Sequence, residues 1–238
     1  MQGKVKALKA AFPHTIPILT GFMFLGMAYG IIMKSKGYHI GWTVLFSLIT
    51  FAGSAQYVAI TFLTSAFNPI SALLMTVMVN ARHFFYGISM LEKYQETGKY
   101  RPYLIFGLCD ETFSIVCTTK PPKGINETWF FVFITLLNHS YWVVGSAIGG
   151  LLGSMISFDI KGLDFVLTAL FVVIFISQWK SQKDHKPALC GVACAVFCLT
   201  IFGPNNFIIP SMVAILLILT GLRKTYPDQS DFVEELVQ

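Results

Sequence analysis

The sequence predicts an all-α protein: a polytopic bundle of transmembrane helices with about eight spans, forming one integral membrane domain over residues 1–238. Three observations predict it. The chain is 55% hydrophobic and only 12% charged, against roughly 25% charged in soluble domains, which is too little charge to clothe a core of this size. Mean hydropathy is +0.65. The apolar residues also fall into runs near the ~20 residues that cross ~30 Å of hydrocarbon, separated by short polar connections. The lipid bilayer is the expected solvent.

The elements follow in chain order. A basic N-terminal segment, residues 1–15 with Lys4, Lys6 and Lys9, precedes an apolar run from Ile16 to Met33. Many further apolar runs follow it and no small-residue cleavage site closes it, so it reads as a first span and not as a signal peptide. The run Gly41–Phe67 is longer than one span needs and contains Gly53-Ser54-Ala55, where a helix can break. It is expected either to cross as one long helix or to break and re-enter, and re-entry would reduce the count to seven. Asn68-Pro69 marks the start of the third run, Ile70–Leu91.

After the polar stretch Glu92–Arg101, the run Pro102–Thr118 is expected to cross, and Pro121-Pro122 and Gly124 mark a turn. Trp129–Met155 and Leu163–Gln178 are the fifth and sixth runs. A basic connection, Lys180–Lys186, leads to Pro187–Phe202 and Phe207–Leu222, which Gly203-Pro204-Asn205-Asn206 separates. Residues 223–238 form a short acidic tail.

Net charge is +5, carried by lysines in the connections, where they orient a membrane protein; a nucleic-acid partner is not expected. With eight spans, Lys4, Lys6, Lys9, Lys120, Lys123, Lys180, Lys183, Lys186, Arg223 and Lys224 share the side of the termini. Lys34, Lys36, Lys93, Lys99, Arg101 and Lys161 fall opposite. This imbalance predicts cytoplasmic termini, with the Glu92–Arg101 connection as the awkward one. Cys190, Cys194 and Cys198 recur every fourth residue and would share a helix face, as small packing residues and not as metal ligands. Gly145, Gly149 and Gly153, and Gly26 with Gly30, have the spacing that lets helix backbones approach closely in lipid. They are expected to pack within the chain or to dock another membrane subunit.

Polar side chains inside apolar runs carry the functional signal, because each costs on the order of several kcal/mol in hydrocarbon unless paired or wet. They are Gln56 in Gly53-Ser54-Ala55-Gln56, the cluster Asn80-Ala81-Arg82-His83, the acids Asp110-Glu111, and Asn138-His139. At 100° per residue Asn80 and His83 share one stripe, while Arg82 shares another with Tyr86. Arg82 lies too deep to snorkel and needs an anion. Asp110 and Glu111 diverge by about 100°, so both cannot pair with Arg82 in one geometry: either one neutralises Arg82 and the other binds and releases a proton, or both acids serve a purely structural ion pair. Gly53, Ser54, Gln56, Asn80, Arg82, His83 and Glu111 are the candidate substrate-binding residues, and Asp110 and Glu111 the candidate proton-coupling ones. Phe84, Phe85 and Phe113 are candidate apolar lining. No metal or cofactor is implied.

These motifs together resemble the AzlC family of branched-chain amino acid permeases. The matching residues are Gly21, Gly26 and Gly30, Gly53-Ser54-Ala55-Gln56, Asn80-Ala81-Arg82-His83-Phe84-Phe85-Tyr86 and Asp110-Glu111-Thr112-Phe113, and the likeness spans residues 15–180. The resemblance implies a non-enzymatic exporter of branched-chain amino acids in a bacterial plasma membrane, acting with a small AzlD-like membrane subunit. The physical reading agrees with that substrate class, since a zwitterion needs a cationic group, an anionic group and an apolar pocket.

Rival readings have weaker support. An intramembrane hydrolase lacks its motifs: no Gly-x-Ser-x-Gly elbow or His-Glu-x-x-His pair is present. A channel favours rings of like charge or carbonyls, whereas this site mixes both signs. A non-transporting assembly subunit would use the polar clusters only for packing.

Overall fold

The structure is a computed structural model describing residues 2–64, 68–155, 184–203 and 207–223, with isolated helical positions between 168 and 180. Where the sequence suggests one domain, the fold separates two compact units, Met1–Leu170 and Phe171–Gln238. Every regular element among the described residues is helical. Most of the sixth run, the Pro204–Asn206 turn and the tail after Arg223 lie outside the described residues.

The first unit is built on two long helices, α1 (Gln2–Ser35) and α7 (Glu127–Met155). Both are long and apolar enough to cross a membrane. α1 begins fourteen residues before its apolar run, absorbing the basic segment. The two helices run parallel, since contacts advance together along both chains. Lys4 lies 4.1 Å over the Trp129 ring, the Thr15 and Tyr141 hydroxyls are 3.1 Å apart, and the Lys34 side chain packs at Gly153.

Glycines make this pairing close. A Cβ added at Gly26 would stand 3.0 Å from the Trp142 carbonyl oxygen and the Ser146 nitrogen. At Gly30 it would collide with the Ser146 carbonyl, and at Gly149 with that of Met27. The four-residue glycine spacing therefore serves packing between α1 and α7.

Two pairs of short helices fold back on themselves. α2 (Ile40–Thr50) and α3 (Gly53–Thr64) are separated by Phe51 and Ala52, with Phe51 left-handed at φ 38°, ψ 45°. The Tyr38 hydroxyl donates to the Leu63 carbonyl at 2.8 Å, and Gln56 Nε2 donates to Ser47 Oγ at 3.2 Å. A continuous helix would hold Tyr38 and Leu63 about 38 Å apart at 1.5 Å per residue. Over its described residues, 41–64, the run is therefore a hairpin and not one long helix.

α4 (Pro69–Ser89) leads to a 3-10 turn (Gln95–Tyr100), then to α5 (Arg101–Phe106) and α6 (Asp110–Thr118). Here the structure departs from the single crossing expected over Pro102–Thr118. Gly107, Leu108 and Cys109 break the run, and a Cβ at Gly107 would collide with Thr135 Cγ2. Lys93 Nζ, just before α5, donates to the carbonyls of Val116 and Thr119 at the end of α6. Leu104 and Val116 share a buried cluster with Met90, Tyr94, Phe130 and Phe131. The two ends of α5–α6 thus return to the same place, making a second hairpin.

The hairpins approach from opposite ends of the unit. Ile40 packs at Gly150, near the end of α7, whereas the second hairpin is rooted beside its start. Both tips reach the middle of α7, at Asn138–Trp142. In the second unit α8 (Lys186–Phe202) and α9 (Ile208–Arg223) pack against each other, with Cys194 and Cys198 buried.

Candidate functional site

The tips meet on α4 at Arg82. Its Nη2 donates to Ser54 Oγ at 3.0 Å, in the first turn of α3, and lies 2.9 Å from Asp110 Oδ2, in the first turn of α6. Among the described residues this is the one ion pair. The Tyr86 hydroxyl, one turn further along α4, donates to Asp110 Oδ1 at 2.6 Å and stacks on Phe113 with centroids 4.3 Å apart. Asp110 therefore has both oxygens engaged, while Arg82 Nε is buried without a hydrogen-bond partner. The side chains of Arg82 and Asp110 remain 24% and 18% exposed, so a solute can reach the pair.

Helix ends reinforce the arrangement. Each tip presents a helix N-terminus, where unpaired N–H groups and the helix dipole favour negative charge. Asp110 and Glu111 occupy that position on α6. On α3 the first turn is Gly53-Ser54-Ala55, and the Gln56 nitrogen is the first to donate back, to Ala52.

The sequence-predicted residues divide into groups. Ser54, Arg82 and Asp110 are in contact. Glu111 lies next to Asp110 and beside the Cys109 thiol, and His83 interacts electrostatically with both Arg82 and Asp110. Gln56 is fully buried and engaged elsewhere: its Oε1 accepts from Trp142 Nε1 at 2.7 Å and its Nε2 donates to Ser47. Ser47 donates to Ser146 Oγ at 2.9 Å, and Ser146 to the Trp142 carbonyl at 2.8 Å, closing a ring that ties the first tip to α7. Gly53 packs 3.0 Å from the Trp142 ring, measured from an added Cβ. Asn80 Oδ1 is buried without a partner, and Asn80 points away from Arg82 by about 160° on the helix. Phe84 and Phe85 are 70% and 58% exposed, whereas Phe113 stacks on Tyr86 beside the pair.

α7 supplies residues that the sequence left ambiguous. Asn138 is fully buried and donates to Thr112 Oγ1 at 3.1 Å, on the second hairpin. His139 lies between the tips, 4.5 Å from the Phe51 ring and with Nδ1 3.4 Å from the Tyr103 hydroxyl. Thr112 and Trp142 were missed by sequence reasoning, because hydroxyl and indole groups are common in apolar runs. Tyr86 was placed on the Arg82 stripe by its i, i+4 spacing but not named as a site residue.

The AzlC protein family model matches residues 17–156, which hold all of these residues and end within one position of α7. This chain belongs to the AzlC family. Over 218 residues the AzlC-family chain is 57% identical to the branched-chain amino acid transport protein AzlC of Bacillus subtilis, covering 92% of this chain and 86% of that one. It is 45% identical over 216 residues to an uncharacterized membrane protein of Haemophilus influenzae, covering 90% and 88%. It is 29% identical over 207 residues to the inner membrane protein YgaZ of Escherichia coli, covering 85% and 82%. No solved structure matches. These relatives agree with the composition: this AzlC-family chain is a bacterial membrane protein of a transport family.

Proposed function

We propose that this AzlC-family protein exports branched-chain or similar apolar amino acids across the bacterial plasma membrane, linked to protons and working with a small AzlD-like membrane subunit. One observation carries the reading: a single nitrogen of Arg82 holds both hairpin tips, leaving Nε unspent. A substrate carboxylate can take that free edge bidentately, helped by the N–H groups of Gly53, Ser54 and Ala55, and displace Asp110. The released Asp110, with Glu111, then receives the ammonium group. The side chain lies toward Phe113 and Tyr86. Glu111, which has no ion pair among the described residues, is the group that binds and releases the coupled proton. His83 and Asn80 flank the path, and Gln56 acts by holding the first tip in place.

In the bilayer α1, α4 and α7 cross, and the two hairpins enter from opposite faces to meet halfway. Broken helices meeting at the midplane are a recurrent way to build transporter sites. Charge placement supports this topology. Among the described residues, eight of the ten unit-one connection cations (Lys4, Lys6, Lys9, Lys93, Lys99, Arg101, Lys120 and Lys123) then share one face, against Lys34 and Lys36. Straight spans divide the same ten residues evenly. The basic face is the cytoplasmic one, and the N-terminus lies there.

The test is counterflow of labelled leucine, isoleucine, valine and methionine in proteoliposomes, with and without a pH gradient and the small subunit. Saturable exchange of these amino acids, dependent on the gradient, is expected. Absence of exchange with every substrate, although both subunits are present and folded, would leave an assembly role instead.

A further inference from the structure

The first hairpin carries a feature with no part in the Arg82 site. Between its arms and the end of α1 lies a groove of about 190 Å³ with an almost wholly apolar lining. Trp42, Leu45 and Ile49 form its wall at helical spacing along α2, and Tyr38 and Leu63 close its upper end. Among the described residues nothing covers it: Trp42 is 62%, Leu45 45% and Ile49 62% exposed. We propose that this groove binds one acyl chain of an anionic phospholipid, with the lipid phosphate at Lys34 and Lys36.

Depth, charge and chemistry all point to that occupant. An 11-residue α2 is about 16 Å long, close to half of a ~30 Å hydrocarbon core, so the groove is one leaflet deep. Tyr38 and Trp42 stand at its upper end, where aromatic residues with a polar edge mark the headgroup level. Lys34 closes α1 and Lys36 follows it. Among the described residues of this unit no Asp or Glu lies at that end, since Glu92, Glu96 and Glu127 are at the opposite end and Asp110 and Glu111 at the tips. An anionic headgroup there meets two cations with no acid beside them among the described residues of this unit. The inference rests on the chain being a membrane protein and not on its transport activity, so loss of flux would leave it standing.

Trp42 makes the site readable. The full-length protein is placed in nanodiscs containing phosphatidylglycerol or phosphatidylcholine with brominated acyl chains, and Trp42→Phe separates its fluorescence from Trp129, Trp142 and Trp179. Brominated phosphatidylglycerol should quench the Trp42 signal at lower mole fraction than brominated phosphatidylcholine. That preference should fall about fivefold for each of Lys34→Gln and Lys36→Gln, the share of one surface lysine. Equal quenching by both lipids, or an unchanged preference in the double variant, would mean bulk lipid only and overturn the proposal. Absence of quenching by either lipid would mean that protein, a partner or a second copy, covers the groove, and would overturn it as well.

Discussion

Tyr38 and Leu63 are 25 residues apart in sequence, and the hydroxyl of one donates to the carbonyl of the other at 2.8 Å. Few single contacts constrain a membrane chain so strongly. It returns the end of α3 to the end at which α2 starts. The Lys93 bonds to the end of α6 do the same for the second hairpin. Each hairpin satisfies its backbone internally except at the tip, where exposed N–H groups are affordable only beside polar partners. Arg82, Asp110 and Trp142 line that junction.

The sidedness that follows can be read by labelling. In a background lacking the five native cysteines, Lys36→Cys should react with a membrane-impermeant maleimide in intact cells. Glu96→Cys and Lys123→Cys should react only after permeabilisation. Straight spans through 41–67 and 102–118 would instead place Glu96→Cys with Lys36→Cys, and that pattern would remove both hairpins.

Packing between α1 and α7 leaves no room for a methyl group at Gly149, where the Met27 carbonyl stands in the way. Gly149→Ala should lower thermal stability in detergent, on the order of 1–3 kcal/mol by overpacking. Gly21→Ala is the control, because nothing lies within 4 Å of its added Cβ. Equal melting of the two variants would contradict the close parallel contact.

The ring through Gln56 predicts coupled losses. Gln56→Ala leaves Trp142 Nε1–H without its acceptor and removes the donor to Ser47 Oγ, at a cost of about 1–3 kcal/mol. Trp142→Phe breaks the same ring, so the double variant should be destabilised by less than the two single changes added together. Fluorescence-detected thermal unfolding measures this, and strict additivity would show that Gln56 and Trp142 act separately.

Glu111 and Asp110 should separate by phenotype. Glu111→Gln removes a titrating group without breaking the Arg82 pair, so folded protein should persist while the pH dependence of flux flattens. Asp110→Asn strips Arg82 of its counter-charge and should reduce folded protein as well, by less than the roughly 3–5 kcal/mol of a fully buried pair because the two side chains are 24% and 18% exposed. An unchanged pH profile in Glu111→Gln would take the proton-binding role away from it.

Much of this was legible in the sequence because charge in an apolar run is expensive. That cost pointed to Arg82, Asp110 and Glu111, and the 100° divergence of the two acids required only one to pair with Arg82. The small residues Gly53-Ser54-Ala55 signalled a break nearby, but the chain breaks just before them, at Phe51-Ala52, and they form the first turn of α3. The second break was not signalled, since Pro102–Thr118 has the length and apolarity of a crossing, and only Thr135, packed at Gly107, explains why it turns. The place of Gln56 was also hidden. An amide looks alike from sequence whether it faces a ligand or an indole, and here the partner is Trp142, 86 residues away.

Counterflow of labelled leucine by the Arg82→Ala variant, compared with the unaltered protein at equal membrane abundance, tests the shared-guanidinium site most directly. Exchange should fall at least a hundredfold while the variant remains inserted, since a bidentate carboxylate contact with its neighbouring N–H groups contributes about 3 kcal/mol or more. Leucine exchange at the unaltered rate, with the variant folded and inserted, would contradict a substrate carboxylate bound at Arg82.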